Sequence, residues 1–295
     1  ADSEYVKTLE SMVIANNGTL YDGVGVPFDR TIPEAKYDVS VHDGYLDYKG
    51  IKLHFITYET TNKENPNNII MLPYLGGHAK RLDGVSREIG SLGDNVFALD
   101  YEGHGLSGGE RGKYKVEEIM ENIDILVDHI SKKYSDRIGI IGVSIGGDFV
   151  IKYLDHACSK KDDRVKSGIA YTALLFSDDD LVKRFRDWRV PLIKAYISGK
   201  IADLIGPDPI PIKDLYDINS LFADKKNNEE VKKDPLFLNG YRKESFFGHI
   251  RHRLHGLDGI DKPVLLMVPS DDKLSPLPYE ILLLNRLKII KNDVE

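Results

Sequence analysis

The sequence predicts an α/β fold in which a largely parallel sheet is covered by helices on both faces. Short apolar runs recur along the chain with helical patterns between most of them, and this alternation is typical of parallel sheets. No apolar run approaches the length of about 18 to 20 residues that a membrane span requires. With 295 residues, 41% of them hydrophobic, the chain can bury one large core, or one core plus an inserted subdomain.

The individual elements are predicted from the period of their apolar residues. Residues 45–48 and 51–58 are typical of a β-hairpin, because they are rich in aromatic and β-branched side chains around a short turn. Apolar residues at helical spacing predict helices over 116–134 and 147–156. Further buried strands are predicted at 68–72, 96–99, 138–143, 167–171 and 264–268.

Domain boundaries follow from where this alternation starts and where it breaks. Residues 1–40 are interpreted as an N-terminal arm, because a glycine- and proline-containing stretch precedes the first strand. Between residues 176 and 254 the chain is rich in charge, aromatic residues and proline, with helical patterns but no convincing buried strand. We interpret 176–254 as a helical cap inserted into a core formed by 41–175 and 255–295.

Charge and cysteine content exclude several classes of function. A net charge of −7 argues against a general nucleic-acid binder. The single cysteine, Cys158, excludes an internal disulfide framework. We expect a soluble protein with at most peripheral membrane contact, either cytoplasmic or exported after removal of a leader. The composition does not indicate an oligomeric state.

The most informative motif is a serine between a strand and a helix. Residues 138–143 form an apolar strand that continues into Gly-x-Ser-x-Gly, and Ser144 is its centre. Gly142 and Gly146 leave room for the tight turn that exposes a nucleophilic serine. The N–H of Ile145, at the start of the following helix, is predicted to donate to the oxyanion. A second donor should come from the flexible loop after strand 68–72, where we select Leu75.

A serine nucleophile also requires a base and an acid that orients the base. In a sheet of this kind the acid follows a later strand, and the loop after strand 264–268 contains Asp271 and Asp272. Either aspartate could serve, and Asp272 matches best by position. Two adjacent aspartates are also ordinary turn residues.

A longer segment identifies a family resemblance. Residues 100–107 read Asp-x-x-Gly-His-Gly-x-Ser and are followed by Gly-Glu-Arg. Together with the Ser144 motif, Asp-Pro-Leu at 234–236 and the Asp272 loop, this segment resembles the monoacylglycerol lipase and lysophospholipase branch of the α/β-hydrolases. The resemblance runs from about Gly44 to the C-terminus.

The resemblance implies an α/β-hydrolase fold with a mobile cap and an acyl-enzyme mechanism. The implied substrate is an ester of a lipid with one acyl chain, and no metal or organic cofactor is implied. It places His104 in a structural turn beside the site. An alternative hypothesis is a catalytically impaired fold that binds a lipid or a protein partner.

The catalytic histidine departs from the family order, in which it follows the acid. All nine histidines of this chain precede Asp272. We expect the histidine, with the last strand and helix of the core, to lie beyond Glu295. The alternative is recruitment of an upstream histidine, either His78 or one of the cluster His249, His252 and His255. The fold without catalysis is the third possibility.

The oxyanion loop also departs from the family. The family has His-Gly where this chain has Pro73 and Tyr74. We expect the larger Tyr74 side chain to narrow the acyl site or to shift the donor at Leu75.

Overall fold

A seven-stranded sheet with helices on both faces organises the part of the chain that the structure describes. The structure is a computed structural model and describes residues 34–173, 207–215, 217–220 and 225–267. With strands numbered in sequence order, their order in the sheet is β1 (Val39–Tyr48), β2 (Ile51–Thr60), β4 (Asn95–Leu99), β3 (Asn68–Leu72), β5 (Ile138–Val143), β6 (Val165–Tyr171) and β9 (Val264–Met267). Of the six pairs in this order, the first two are antiparallel and the other four are parallel. The predicted fold class is therefore confirmed.

The antiparallel edge is a long hairpin formed by β1 (Val39–Tyr48) and β2 (Ile51–Thr60). Both strands are longer than the predicted segments 45–48 and 51–58. The side chains of β1 alternate between partly buried and exposed, whereas most of β2 is buried. This difference arises because β2 lies between β1 and β4, while β1 pairs only with β2 among the described strands.

The five strands that form the parallel pairs lie at the apolar runs predicted from the sequence, and each begins within two residues of the predicted start. Strands β3 and β4, in the interior of the sheet, are almost wholly buried and contain few polar side chains. At β4, Phe97 and Leu99 face one core and Val96 and Ala98 face the other. Their bounds are β3 (Asn68–Leu72), β4 (Asn95–Leu99), β5 (Ile138–Val143), β6 (Val165–Tyr171) and β9 (Val264–Met267).

Within residues 34–173, three helices cover the sheet: α1 (Asp83–Leu92), α2 (Val116–Lys133) and α3 (Ile145–Ser159). The buried residues of α2 recur every three or four positions, as the sequence predicted. Helix α2 carries acidic residues in its first turn and lysines in its last, which complements the helix dipole. No helix among residues 34–173, 207–215, 217–220 and 225–267 is long and apolar enough to cross a membrane.

The described part of the predicted cap packs on the core through buried aromatic and aliphatic side chains. It contains the short helices α4 (Ile212–Leu215), α5 (Lys225–Lys233) and α6 (Lys243–Arg251). It also contains a two-stranded sheet, β7 (Ile210–Pro211) and β8 (Gly240–Tyr241), which the sequence did not predict. Strands of two residues are too short to show a period. Cap residues Phe237, Tyr241 and Phe246 belong to the same buried cluster as helices α2 and α3.

Candidate active site

Ser144 occupies a strained turn between β5 and α3. Its φ of 56° and ψ of −116° lie outside the regions that side-chain-bearing residues normally adopt. The turn is held because the Ser144 N–H donates to the Tyr171 carbonyl at 2.8 Å and its carbonyl accepts from the Asp148 N–H at 3.1 Å. Ser144 therefore stands at the carboxyl edge of the sheet, where open parallel sheets bind ligands.

The two glycines of the motif are required by close backbone approach. A Cβ atom on Gly142 would lie 2.0 Å from the carbonyl oxygen of Gly146. A Cβ atom on Gly146 would lie 2.4 Å from the carbonyl oxygen of Leu72 and 2.7 Å from that of Pro73. Neither position can carry a side chain without a shift of the backbone. The same close approach packs the start of α3 against the end of β3.

Residues 73–78, which we call the oxyanion loop, lie next to the turn at Ser144, because Pro73 approaches Gly146 closely. The loop turns at Tyr74, whose carbonyl accepts from the Gly77 N–H at 2.8 Å. The Tyr101 hydroxyl donates to the Pro73 carbonyl at 3.0 Å. Leu75 is buried in this loop, and Ile145 is the first residue of α3. The roles of Leu75 and Ile145 as oxyanion donors stay predictions.

Tyr74, which departs from the family pattern, is buried in the oxyanion loop. Its ring lies 6.5 Å from that of Phe237, and its hydroxyl accepts from Arg81 Nε at 3.4 Å. Its effect on the acyl site stays a prediction.

Asp100 organises the turn that carries the Gly-His-Gly motif. Its carboxylate accepts from the backbone N–H groups of Ala79 at 2.6 Å and Leu106 at 2.9 Å. Its carbonyl accepts from the Ser107 hydroxyl at 2.7 Å. The loops after β3 and β4 are thus joined through one buried carboxylate.

His54 bridges Asp100 to the surface. Its Nδ1 lies 2.7 Å from Asp100 Oδ2 and its Nε2 lies 2.8 Å from Asp43 Oδ1. Burial alone would lower the pKa of His54, but the hydrogen bonds to Asp100 and Asp43 outweigh burial and raise it. The folded state therefore favours the imidazolium form of His54.

We expect His54 to make stability depend on pH. Because the folded-state pKa is raised, its contribution is fully present below the unfolded pKa of about 6.5 and is lost as the pH rises through the folded pKa. The difference in unfolding free energy between the wild type and His54→Ala should shrink as the pH rises above about 6.5 and through the raised folded-state pKa. Urea denaturation at each pH measures it.

His129 is a control, because its contribution to stability should change with pH in the opposite direction. Burial, followed by Lys133, lowers the pKa of His129. Its contribution is therefore present above about pH 6.5 and is lost as the pH falls through the lowered pKa. If the difference in unfolding free energy between the wild type and His54→Ala did not change with pH, this result would contradict the bridging role of His54.

His104 lies within an aromatic cluster beneath the oxyanion loop. Its Nδ1 donates to the Glu102 carbonyl at 2.9 Å, and its Nε2 lies 2.9 Å from the Tyr241 hydroxyl. Burial lowers the pKa of His104 to about 4, so the ring is neutral near pH 7. Both nitrogens are occupied by structural partners, as the interpretation of His104 as part of a turn requires.

The family motifs that are far apart in the sequence meet here. His78 Nε2 lies 2.8 Å from Asp234 Oδ2, which joins the oxyanion loop to the Asp-Pro-Leu segment. Arg111, from Gly-Glu-Arg, donates to the carbonyls of Gly105 and Leu236, each at 2.8 Å.

The three histidines of the predicted upstream cluster point to three different acids. His249 pairs with Asp148, His252 with Glu117 and His255 with Asp155. No hydrogen bond joins any of these histidines, or His78, to the Ser144 hydroxyl in the described parts of the chain. In the same residues no group of three or more potential ligands is placed to hold a metal ion.

A buried polar cluster next to Ser144 was not predicted from the sequence. Asp148 and Lys152 are one turn apart on α3, and both side chains are fully buried. Lys152 Nζ donates to both carboxylate oxygens of Asp148 at 2.8 and 2.7 Å. His249, on α6 of the cap segment, donates to the same carboxylate and lies 3.1 Å from the Tyr114 hydroxyl. The signal was the i, i+4 spacing of Asp148 and Lys152 among the mostly apolar residues of the first half of α3.

Asp148 is charged in spite of its burial. Burial raises its pKa, but Lys152 and His249 outweigh burial and hold it below the ordinary value. Burial is also the main cause of the lowered pKa of His249, so this ring is neutral. The Asp148 carboxylate, which accepts hydrogen bonds from Lys152 and His249, therefore joins helix α3 to the predicted cap.

Asp271 and Asp272 lie outside the described residues, as do residues 176–206, 216 and 221–224 of the predicted cap. Asp272 as the catalytic acid and the domain boundaries at 1–40, 41–175, 176–254 and 255–295 therefore stay predictions.

Comparison with known proteins places these features in context. A family model described as serine aminopeptidase, S33 (Hydrolase_4) matches residues 64–290. A monoacylglycerol lipase of Mycolicibacterium smegmatis is 26% identical, over 79% of this chain and 80% of the relative.

Solved structures extend the similarity to the fold. The monoacylglycerol lipase of Paleococcus ferrophilus has a TM-score of 0.59 and 23% identity, covering 80% of this chain and 84% of that one. A soluble variant of the Saccharomyces cerevisiae monoglyceride lipase, in complex with a substrate analogue, has a TM-score of 0.64 and 16% identity, covering 87% and 85%. At these identities the two structures show a shared α/β-hydrolase fold.

Proposed function

Because the chain belongs to the Hydrolase_4 family (serine aminopeptidase, S33) of α/β-hydrolases, we propose that it is a serine esterase that cleaves esters of single-acyl-chain lipids. The observation that carries the proposal is the strained backbone of Ser144, with a positive φ, at the carboxyl edge of the sheet. Strain of this kind persists where the surrounding structure requires it, and it is frequent at catalytic nucleophiles.

In the proposed mechanism the Ser144 Oγ attacks the ester carbonyl carbon while a histidine accepts the hydroxyl proton. The backbone N–H groups of Ile145 and Leu75 stabilise the resulting oxyanion. The histidine returns the proton to the leaving alcohol, which leaves an acyl group on Ser144. Water then attacks the acyl-enzyme, with the same histidine as base, and releases the fatty acid. No metal or organic cofactor takes part.

Asp272 is proposed to orient this histidine, and we assign that role to none of His78, His104 and His249. The pairing of the upstream histidines supports this assignment. His78 and His249 are buried and hydrogen-bonded to acids, and His104 is held by Glu102 and Tyr241. Recruiting any of them would break these interactions.

A lipid ester is the proposed substrate. The name of the Mycolicibacterium smegmatis relative, a monoacylglycerol lipase, supports this class. We further propose that residues 176–254 form a cap over a core of 41–175 and 255–295, with residues 1–40 as an arm. The apolar contacts of the cap segment with the core support this division.

A substrate panel tests the proposal. We expect the full-length protein to turn over monoacylglycerols or lysophospholipids of medium to long chain better than short p-nitrophenyl esters or amino-acid amides. A preference for aminopeptidase substrates would contradict the lipid assignment, since the family model carries that description. Binding of fatty ligands without turnover would identify a binding protein instead.

A further inference from the structure

Gly76, in the oxyanion loop, forms hydrogen bonds through both its N–H and its carbonyl with residues of the predicted cap that follow the Asp-Pro-Leu motif. The Gly76 N–H donates to the Tyr241 hydroxyl at 2.8 Å. The Gly76 carbonyl accepts from the Leu238 N–H at 3.0 Å. Gly76 has a φ of 78°, and a Cβ atom there would lie 2.7 Å from the Phe237 ring. The loop therefore cannot relax at this point without losing these contacts.

The hydrogen-bond direction at Tyr241 is determined by His104. The Glu102 carbonyl can only accept, so His104 Nδ1 carries the proton and Nε2 of the neutral ring accepts. The Tyr241 O–H then donates to His104 Nε2, and the Tyr241 oxygen is left to accept from Gly76. One continuous chain of hydrogen bonds runs from Gly76 through Tyr241 and His104 to Glu102.

The Tyr241 side chain is itself held rigidly. Only 1% of Tyr241 is exposed, and its ring lies 5.5 Å from that of His104 and 5.9 Å from that of Tyr114. Its backbone belongs to β8, and the next residue, Arg242, donates its N–H to the Gly112 carbonyl at 2.9 Å. The position of the hydroxyl is therefore determined by tertiary packing.

Leu75, the proposed oxyanion donor, immediately precedes Gly76. Holding the peptide between Leu75 and Gly76 restricts the rotation of the neighbouring peptide that carries the Leu75 N–H. Oxyanion donors are effective because their N–H groups already point to the position of the oxyanion before the reaction. A donor on a loop that reorients during catalysis therefore stabilises the oxyanion less.

We infer that Tyr241 is a positioning residue, which orients the oxyanion loop for catalysis through its hydrogen bond to the Gly76 N–H. This inference rests on the proposed esterase function. It assigns a role in the reaction to a cap residue that does not touch the reacting atoms.

The test is Tyr241→Phe, which removes the hydroxyl and keeps the ring. We expect kcat for the best ester substrate to fall about tenfold with KM within about twofold, less than the 10²–10³ loss from removing a direct donor. Affinity for an alkyl boronic acid, which forms a tetrahedral adduct with the serine, should fall by the same factor as kcat. Amide exchange at Gly76 should accelerate about tenfold or more.

Tyr153→Phe is the matched control. Tyr153 is also a buried tyrosine whose hydroxyl donates to a side chain, Asp124 at 2.9 Å, but it lies nine residues along α3 from Ser144. Both variants should lose similar thermal stability, and only Tyr241→Phe should lose kcat.

The outcomes separate the inference from the proposed function. An active wild type with equal kcat in Tyr241→Phe and Tyr153→Phe, or unchanged exchange at Gly76, overturns the inference alone. A wild type without turnover of any ester overturns the esterase proposal and the inference with it.

Discussion

Replacing Ser144 with alanine is expected to lower kcat/KM for ester substrates by about 10⁴-fold or more, because the nucleophile of a catalytic triad acts as a unit with its base. Labelling by a fluorophosphonate probe, read by intact mass on the full-length protein, should disappear in the same variant. The strained turn at Ser144 should persist, because close packing of Gly142 and Gly146 imposes it. Thermal stability should therefore change little.

Ser159→Ala is the control for this experiment. Ser159 is an exposed serine at the other end of the same helix, and its hydroxyl donates to the His156 carbonyl at 2.7 Å. We expect this variant to retain wild-type turnover and labelling. Labelling that survives in Ser144→Ala would assign the reactive serine elsewhere and refute the mechanism.

The second large effect is on stability and comes from Asp148→Ala. The substitution removes the carboxylate that pairs with the buried Lys152 ammonium and that accepts a hydrogen bond from a His249 N–H. Removing one partner of a buried ion pair costs about 3–5 kcal/mol in unfolding free energy. Urea denaturation of both proteins measures the loss.

Two controls identify the cause of that loss. Asp47→Ala breaks an exposed ion pair with Lys52 at 2.8 Å and should cost less than about 1 kcal/mol. The double substitution Asp148→Leu with Lys152→Met removes both charges, and it should recover much of the stability lost in Asp148→Ala. A double variant that is as unstable as Asp148→Ala would show that loss of the Asp148–Lys152 ion pair is not the cause.

Short-range features of the site were predictable because they depend on neighbouring residues. The elbow at Ser144 follows from an apolar strand, two glycines and a helix start within a few positions, and the structure has that turn. The upstream histidine cluster shows the limit of such reasoning. His249, His252 and His255 have helical spacing, yet the helix ends at Arg251 and each ring turns to a different acid.

The sequence by itself determined the alternation of strands and helices, because apolar period and glycine placement are local properties of the chain. Only the tertiary structure decided the strand order, which places β4 between β2 and β3. It also decided which polar groups meet. The contacts Asp148–His249 and Gly76–Tyr241 span 101 and 165 residues. Hydrogen bonds over such separations depend on how the cap segment packs against the core, and no local pattern encodes that packing.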